Sequence, residues 1–189
     1  NVFPTPEADF KVFGPTLSEV KELCLYETVN LTDVSTISAG NIVNWEWNYG
    51  DGSPTTTGLS NVQKNYLMNG VYTIELTVES DSGCFDIATE KIEVLPKPAV
   101  DFTFNDTCAG FGVDFKNQSS VDKGQVSYIW EFGDNEQSTL KEPTHTYLNP
   151  GTYDVTLVGL STDGCVDTAG PKQIVIHEVP NAEITSSIS

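Results

Sequence analysis

Apolar and polar residues alternate along several short stretches of the chain. In the clearest stretch, polar residues separate Ile74, Leu76 and Val78, which is the period-two pattern of a strand with one buried face. The same spacing recurs at Phe111, Val113 and Phe115 and again at Tyr153, Val155 and Leu157. No stretch combines a convincing helical period with capping residues. The pattern therefore predicts an all-β chain in which these apolar side chains face inward.

Turn-forming residues separate the predicted strands. Glycine, aspartate, asparagine and serine cluster at residues 50–54, 69–70 and 81–83, where glycine supplies a positive φ and aspartate caps free backbone amides. Strands of about 5 to 9 residues between such turns are typical of an antiparallel sandwich of two sheets. We expect the aromatic side chains around Trp47 and Trp130 to fill the cores, because large rings dominate the burial of apolar surface.

Three segments of the first half of the chain recur in the same order in the second half. The matched pairs are residues 47–52 with 130–135, 66–72 with 147–153, and 83–86 with 164–167. A proline-led segment also marks the start of each copy, at residues 6–10, 98–102 and 180–184. We therefore expect one domain over residues 1–97, a second over 98–179, and a linker or the start of a third module at 180–189, as in a piece of a longer array.

The repeated motifs use similar residue types in both copies. They are Trp47, Gly50, Asp51, Tyr66, Gly70 and Tyr72 in the first, and Trp130, Gly133, Asp134, His145, Tyr147, Gly151 and Tyr153 in the second. The series resembles the PKD (polycystic kidney disease) domain over most of both copies. The resemblance implies two tandem immunoglobulin-like (PKD-type) β-sandwich domains, in which these residues are structural and His145 is a packed or hydrogen-bonded core residue. In the first copy we interpret Asn65 as standing in place of that histidine.

Charge excludes several classes of partner. The chain has 27 acidic residues against 9 cationic ones, all of them lysine, for a net charge of -18. Nucleic acid and anionic lipid both require dense positive charge, so we expect no nucleic-acid partner. No apolar run is long enough to span a bilayer, and Asn1 is not followed by a basic and then an apolar segment. We therefore expect no direct membrane insertion and no signal peptide in this stretch.

The cysteines suggest disulfides rather than a metal site. Cys24, Cys84, Cys108 and Cys165 form no CxxC pair and have no histidine pair nearby, which argues against zinc. An even count favours disulfides and hence an extracellular location, although four cysteines allow three pairings. The repeat favours Cys24 with Cys84 and Cys108 with Cys165, because an even number of strand reversals would bring each pair to one end of a sandwich. The cysteine pair also resembles that of PKD repeats in large secreted surface proteins of gliding Bacteroidota, including their adhesins.

The candidate chemical groups all have structural interpretations. Asp51 and Asp134 lie in tight turns that need such residues, and His145 has no serine or cysteine partner at a recognisable spacing. We therefore expect no catalytic residues, no cofactor and no enzyme. Calcium is the one ion to consider, because some PKD domains hold it near an acidic loop. The resemblance directs attention to Asp122 in the loop 119–124, where Lys123 competes.

These observations lead to two alternative functions. The first is a non-catalytic extracellular spacer of a large cell-surface adhesin-type protein, with prolines at residues 96–98 and 179–180 stiffening the junctions. The alternative is a polysaccharide- or protein-binding accessory module of a secreted hydrolase. That alternative needs exposed aromatic rings, whereas Trp45 shares a face with Trp47 and is expected to point inward. The expected partners are neighbouring repeat modules of the same chain or a surface polysaccharide or protein, and we expect a monomer.

Overall fold

The computed structural model describes residues 4–181. The chain divides between Pro96 and Lys97 into two compact units, called here module 1 and module 2. Within the described residues all regular secondary structure is β-strand, which confirms the predicted all-β fold. The same residues contain no helix that is long and apolar enough to cross a membrane. We predicted the start of a third module at 180–184, and its residues 182–184 lie outside the described range.

Within residues 4–96, module 1 contains eight strands in two sheets. The strands are β1 (Phe10–Phe13), β2 (Glu22–Cys24), β3 (Thr28–Asp33), β4 (Ile42–Asn48), β5 (Thr56–Thr57), β6 (Asn61–Asn65), β7 (Gly70–Ser80) and β8 (Phe85–Leu95). One sheet has the order β1-β3-β6 and the other β2-β8-β7-β4-β5. All pairs are antiparallel except β2 with β8, which are parallel.

Module 2 repeats this architecture with nine strands in its described part, residues 97–181. They are β9 (Phe102–Thr103), β10 (Thr107–Cys108), β11 (Gly112–Asp114), β12 (Lys116–Asn117), β13 (Val126–Glu131), β14 (Gln137–Ser138), β15 (Thr144–Thr146), β16 (Gly151–Ser161) and β17 (Val166–His177). The five-stranded sheet has the order β10-β17-β16-β13-β14, which matches the order in module 1. The second sheet is divided into the pairs β12-β9 and β11-β15.

A buried tryptophan lies at the centre of each core. Trp47 meets Phe10 edge-on, with ring centroids 5.2 Å apart and planes at 82°, and Trp130 meets Phe102 at 5.1 Å and 78°. This edge-to-face geometry is the favoured one for aromatic pairs. The indole N–H of each tryptophan donates a hydrogen bond of 2.9 Å to a loop carbonyl, so the buried polar atom is satisfied.

The predicted alternation holds inside the strands and is wrong just outside one of them. Ile74 and Leu76 are fully buried, as are Val155 and Leu157. Phe111, however, is 59 % exposed. It precedes β11, and its N–H donates to the carbonyl of Cys108 at 3.2 Å, so it belongs to a turn. Strict alternation of faces applies only to residues within a pleated strand.

The predicted pairing of the cysteines is wrong. Cys84 and Cys108 are free thiols, whereas Cys24 and Cys165 are disulfide-bonded. Cys24 is in register with Leu95, the last residue of β8, but Cys84 directly precedes the first residue of that strand. A strand of 11 residues extends about 33 Å at about 3.3 Å per residue, whereas bonded cysteines have Cα atoms within about 7 Å. The cysteines of module 2 are separated in the same way along β17.

Candidate functional site

The turn after β4 forms an ionic link between the two sheets of module 1. Asp51 Oδ1 accepts hydrogen bonds from the Ser53 N–H (3.0 Å) and hydroxyl (2.6 Å). Its Oδ2 lies 2.7 Å from Lys64 Nζ on β6, which belongs to the other sheet. Burial alone would raise the pKa of Asp51, but the hydrogen bonds from Lys64 and Ser53 outweigh burial and hold this pKa below its ordinary value. The carboxylate thus has a structural role, because it closes the turn and joins the two sheets.

Module 2 makes the same link with a histidine. Asp134 Oδ2 lies 2.7 Å from His145 Nε2 on β15, and the histidine ring stacks on Phe132 with centroids 4.1 Å apart. His145 lies two residues before Tyr147, the buried tyrosine that follows β15, and Lys64 has the same place before the tyrosine that follows β6. The interpretation of Asn65 as the counterpart of His145 is therefore wrong. A one-residue slip in a strand changes the face on which a side chain lies, and Asn65 is exposed.

A buried tyrosine hydroxyl adds a second link in each module. Tyr66 donates to the Tyr49 carbonyl at 3.0 Å, and Tyr147 donates to the Phe132 carbonyl at 2.9 Å. Burial raises the pKa of both phenols. The remaining motif residues surround this point: Tyr72 and Tyr153 stack on these rings, Gly70 and Gly151 begin β7 and β16, and Gly50 and Gly133 have positive φ in the aspartate turns.

A second pair of aspartates, absent from the sequence-based predictions, ties down the first segment of each module. Asp86 Oδ2 accepts from the Ala8 N–H at 2.8 Å, and Asp167 Oδ2 accepts from the Val100 N–H at 2.9 Å. Lys97 Nζ also lies 2.9 Å from Asp167. Burial would raise the pKa of Asp167, but these hydrogen bonds lower it below its ordinary value. The repeated Gly-Cys-x-Asp segment was the sequence signal that could have revealed this role.

Within residues 4–181, no cluster of metal-binding side chains surrounds the predicted calcium ligand. Asp122 is exposed in the loop before β13, and among residues 4–181 no three His, Cys, Asp or Glu side chains come together as a metal cluster would require. Calcium takes about 6 to 8 oxygen ligands, usually with several carboxylates. No such carboxylate cluster accompanies Asp122 within residues 4–181, and calcium binding at this loop stays a prediction.

Module 1 carries a surface groove of about 710 Å³ beside its smaller sheet. The groove is lined by apolar side chains, including the exposed Leu17 and Leu59, and by the amides Asn30 and Gln63. Trp45 takes no part in it. This tryptophan is half-buried, packs against the core and donates its indole N–H to Asp33 at 2.7 Å.

The relatives are enzymes that share only a small part of their length with this chain. The chain is 39% identical over 74 residues to the pre-pro-metalloprotease PrtV of Vibrio cholerae, an alignment that covers 39% of this chain and 8% of that protein. It is 37% identical over 62 residues to a microbial collagenase of Vibrio alginolyticus, covering 32% of this chain and 8% of the relative.

Solved structures of single domains are also similar. The PKD1 domain of Vibrio cholerae PrtV is 31% identical, with a TM-score of 0.39, and the match covers 48% of this chain and 96% of that one. The PKD1 domain of Vibrio anguillarum Epp is 25% identical, with a TM-score of 0.40, covering 44% and 96%.

A sequence model described as the PKD domain matches residues 15–94 and again residues 96–176, one match in each module. PKD domains are non-catalytic accessory modules, and the enzymes that contain them carry other domains as well. With matches over most of its length, this chain belongs to the PKD domain family and consists of two PKD domains in tandem.

Proposed function

We propose that this chain is a non-catalytic extracellular spacer in a large cell-surface protein of the adhesin type. The observation that carries the proposal is that the chain enters and leaves a module at opposite ends of its longest strand. In module 1 the first segment is tied through Ala8 to Asp86, at the start of β8, and the chain leaves at Leu95, where β8 ends. Module 1 therefore advances the chain by about 33 Å, the length of this strand at about 3.3 Å per residue.

Module 2 supports the same proposal. Its first segment is tied through Val100 to Asp167, at the start of β17, and that strand ends at His177. The net charge of -18 makes two neighbouring modules repel each other at distances within a Debye length, which is about 8 Å at physiological ionic strength. Neighbouring repeat modules of the same chain are the partners that this arrangement implies.

The extracellular location and the parent protein are parts of the same proposal. The disulfide-bonded cysteines favour an oxidising compartment, and membership of a family of accessory modules fits a supporting role. The resemblance of the cysteine pair to PKD repeats of gliding Bacteroidota leads us to propose a surface adhesin, with a role in cell adhesion or gliding motility, as the parent protein.

Small-angle scattering of this chain tests the spacer. A compact globule of this length has a radius of gyration near 16 Å, whereas two modules with centres about 40 Å apart approach 23 Å. We expect the larger value, unchanged when calcium is added or chelated, because no metal cluster is present within residues 4–181. A value near 16 Å would reject the spacer. A radius of gyration that falls when calcium is chelated would show that the extended form depends on calcium, against this expectation.

The groove in module 1 favours one second candidate, an accessory module that binds a polysaccharide or protein on behalf of a secreted hydrolase. Its exposed Leu17 and Leu59 offer apolar contact, and its amides offer hydrogen bonds, which is the composition of many ligand pockets. Replacing both leucines by alanine should weaken retention on immobilised collagen or polysaccharide at least about tenfold. The matched control is Leu148→Ala, another exposed leucine. Equal retention of all variants, or none by the wild type, would reject this candidate.

A further inference from the structure

The outer face of the smaller sheet of module 1 carries rows of uncharged polar side chains. Asn30 on β3 is in register with Gln63 on β6, and Thr32 is in register with Asn61. The residues that separate them within each strand are buried, so these four side chains lie on the outer face. All four line the surface groove, and we call them the polar floor. Side chains in register on neighbouring strands lie about 5 Å apart, so the floor is a contiguous polar surface.

Hydrogen bonds within the sheet orient the amides of the polar floor. Gln63 Nε2 donates to Asn30 Oδ1 at 2.7 Å, and Asn61 Oδ1 accepts from the Asp33 N–H at 3.2 Å. A side-chain amide has several donor and acceptor sites, and the bond between Gln63 and Asn30 uses only one on each residue. The floor therefore presents fixed amides that can both donate to a ligand and accept from it.

A strained leucine forms part of one wall of the groove. Leu17 lines the groove, is 74 % exposed and has a φ of 57. Its N–H donates to the Gly14 carbonyl at 3.0 Å, and the Gly14 N–H donates to the Ser18 carbonyl at 2.9 Å, which closes the turn. A bulky residue with positive φ is unusual, and glycine or asparagine would fit such a turn with less strain. Neither burial nor backbone geometry explains a leucine here, whereas contact with a ligand does.

Apolar side chains flank the polar floor on both sides. Phe13 on β1 is in register with Asn30 and, with Leu17, flanks the floor on the β1 side. Leu59 is 54 % exposed and lies between β5 and β6, so it flanks the floor on the β6 side. The groove between these walls has a volume of about 710 Å³, which is within the range of sites that hold small ligands.

The same surface of module 2 has a different charge. Thr144 Oγ1 donates to Asp114 Oδ1 at 2.6 Å in the register that Gln63 and Asn30 occupy in module 1, which establishes the correspondence. Three positions of the polar floor carry charged residues in module 2: Asp114, Lys116 and Glu142. Within the described residues of module 1, by contrast, every side chain that lines the groove is uncharged. An uncharged floor is therefore a property of module 1 and not of the repeat.

The chemistry of the groove selects a neutral ligand that is rich in hydroxyl groups. A charged ligand would lose its hydration there without meeting a counter-ion, which is costly, and the net charge of -18 repels anions further. A sugar hydroxyl both donates and accepts, as the amides and hydroxyls of the polar floor do. The C–H surface of a sugar ring is apolar and suits the exposed side chains of Leu17 and Leu59.

We propose that this groove of module 1 binds a neutral polysaccharide. The polar floor forms hydrogen bonds with sugar hydroxyls, and Leu17 and Leu59 contact the C–H surface of the rings. The charged counterpart surface of module 2 does not bind the same ligand. The proposal rests on the second candidate function given above, the accessory module, and names its ligand. It does not depend on the spacer function.

NMR titration of the chain with oligosaccharides tests the site. The neutral probes are cellohexaose, mannohexaose, xylohexaose and chitohexaose, and the acidic probe is hexagalacturonate. We expect at least one neutral probe to shift the side-chain amide signals of Asn30 and Gln63 saturably, while hexagalacturonate leaves them unchanged and the signals of module 2 stay in place. No shift of these amides with any neutral probe, or an equal shift with hexagalacturonate, would overturn the proposal.

Leu17→Gly separates a role in binding from a role in stability. Glycine adopts a positive φ without strain, and the leucine side chain is mostly exposed, so the variant should unfold at about the same temperature as the wild type. Its affinity for the neutral probe should fall at least about tenfold, because an apolar contact with the ligand is lost. An unchanged affinity would contradict the role given to this leucine and overturn the proposal.

A double variant transfers the floor of module 2 to module 1. Asn30→Asp with Gln63→Thr reproduces the pair that Asp114 and Thr144 form in the same register, so the sheet should stay folded. The change removes two amides and adds a charge, and the affinity for the neutral probe should fall at least about tenfold. The matched control is Gln173→Thr, at an exposed glutamine of β17, which should bind as the wild type does. Equal affinities of the double variant and this control would overturn the proposal.

Immobilised collagen distinguishes this proposal from the function on which it rests. A chain that is retained on collagen through Leu17 and Leu59 but binds no neutral oligosaccharide would overturn the polysaccharide site and leave the accessory-module function in place. A chain that binds neither would overturn both. The radius of gyration bears on neither, because it reports the separation of the modules and not the occupancy of the groove.

Discussion

Alanine at Gly50 should destabilise module 1 far more than alanine two residues later. Gly50 has φ +73, and a Cβ atom built there lies 2.4 Å from the Thr73 carbonyl oxygen and 3.0 Å from the Thr73 nitrogen. Gly52, in the same turn, has φ +76, and a Cβ atom added to it meets nothing within 4 Å. The two substitutions share the cost of a positive φ and differ in the close approach to β7.

The repeat itself supports Gly52 as the control. Its counterpart in module 2 is Asn135, a residue with a Cβ atom and a φ of 74, so the position accepts a side chain. The counterpart of Gly50 is Gly133, where a Cβ atom would lie 2.7 Å from the Asp154 carbonyl oxygen. The aspartate turn thus lies directly against the neighbouring strand in both modules, and glycine is required there for space as well as for φ.

The magnitudes follow from these distances. A positive φ costs alanine about 1–2 kcal/mol, so Gly52→Ala should lower the free energy of unfolding by about 1 kcal/mol. Gly50→Ala adds a clash with the Thr73 backbone that must open by several tenths of an ångström, which moves the turn away from β7. We expect Gly50→Ala to lower the free energy of unfolding by about 3–4 kcal/mol in total, because such backbone clashes are among the most destabilising mutations. For a module of this size, about 1 kcal/mol shifts Tm by about 4–8 °C.

Calorimetry of the reduced chain measures both variants. Reduction removes any disulfide contribution, and module 2 provides an unchanged reference transition in every sample. We expect the module 1 transition of Gly50→Ala to fall by at least about 12 °C and that of Gly52→Ala by about 4–8 °C. Equal shifts for the two variants would refute the close packing of the turn against β7.

Three further predictions concern the links between sheets and segments. Tyr147→Phe removes the hydrogen bond to the Phe132 carbonyl and leaves that oxygen buried, so module 2 should lose about 1–3 kcal/mol in urea denaturation; an unchanged midpoint would contradict the link. Asp51 has a lowered pKa, so its contribution is present above the unfolded value of about 3.9 and is lost as the pH falls through the lower folded value. Asp51→Asn should therefore flatten the decrease in module 1 stability between about pH 4 and pH 2, and an equally steep decrease would show that other carboxylates cause it. Lys97→Met removes the ion pair with Asp167 and should raise the pKa of that carboxyl in NMR titration, whereas an unchanged pKa would mean that the Val100 N–H alone holds it down.

Local pattern predicted the inward faces of the long strands and the tryptophans of the cores. The alternation around Ile74 and the repeated tryptophans predicted which faces are buried. Successive side chains of a strand lie on opposite faces, and burying the apolar surface of a large ring is favourable. The glycine and aspartate turns could also be predicted from the sequence, because their φ and capping requirements concern only neighbouring residues. These features depend on a few residues at a time.

Partners across the sheets could be predicted only in part. The sequence placed Asp51 and Asp134 in turns, but it did not identify Lys64 and His145 as the equivalent side chains facing them, since these contacts join residues from different sheets. A one-residue error in alignment put Asn65 in the wrong role. Register within a sheet decides the face of every side chain, and the register is set by pairing with distant strands.

Periodicity, repeats and residue types were enough to predict an all-β tandem of two sandwich domains, because they are local or countable properties. The end of the module at which each cysteine lies depends instead on how distant strands pair. The strand-counting argument assumed that Cys24 and Cys84 lie at one end of the sandwich, but β2 has only 3 residues and pairs in parallel with the last residues of β8. Cys24 therefore lies a full strand length from Cys84. The point at which a short strand joins a long one depends on long-range packing, and no local pattern encodes it.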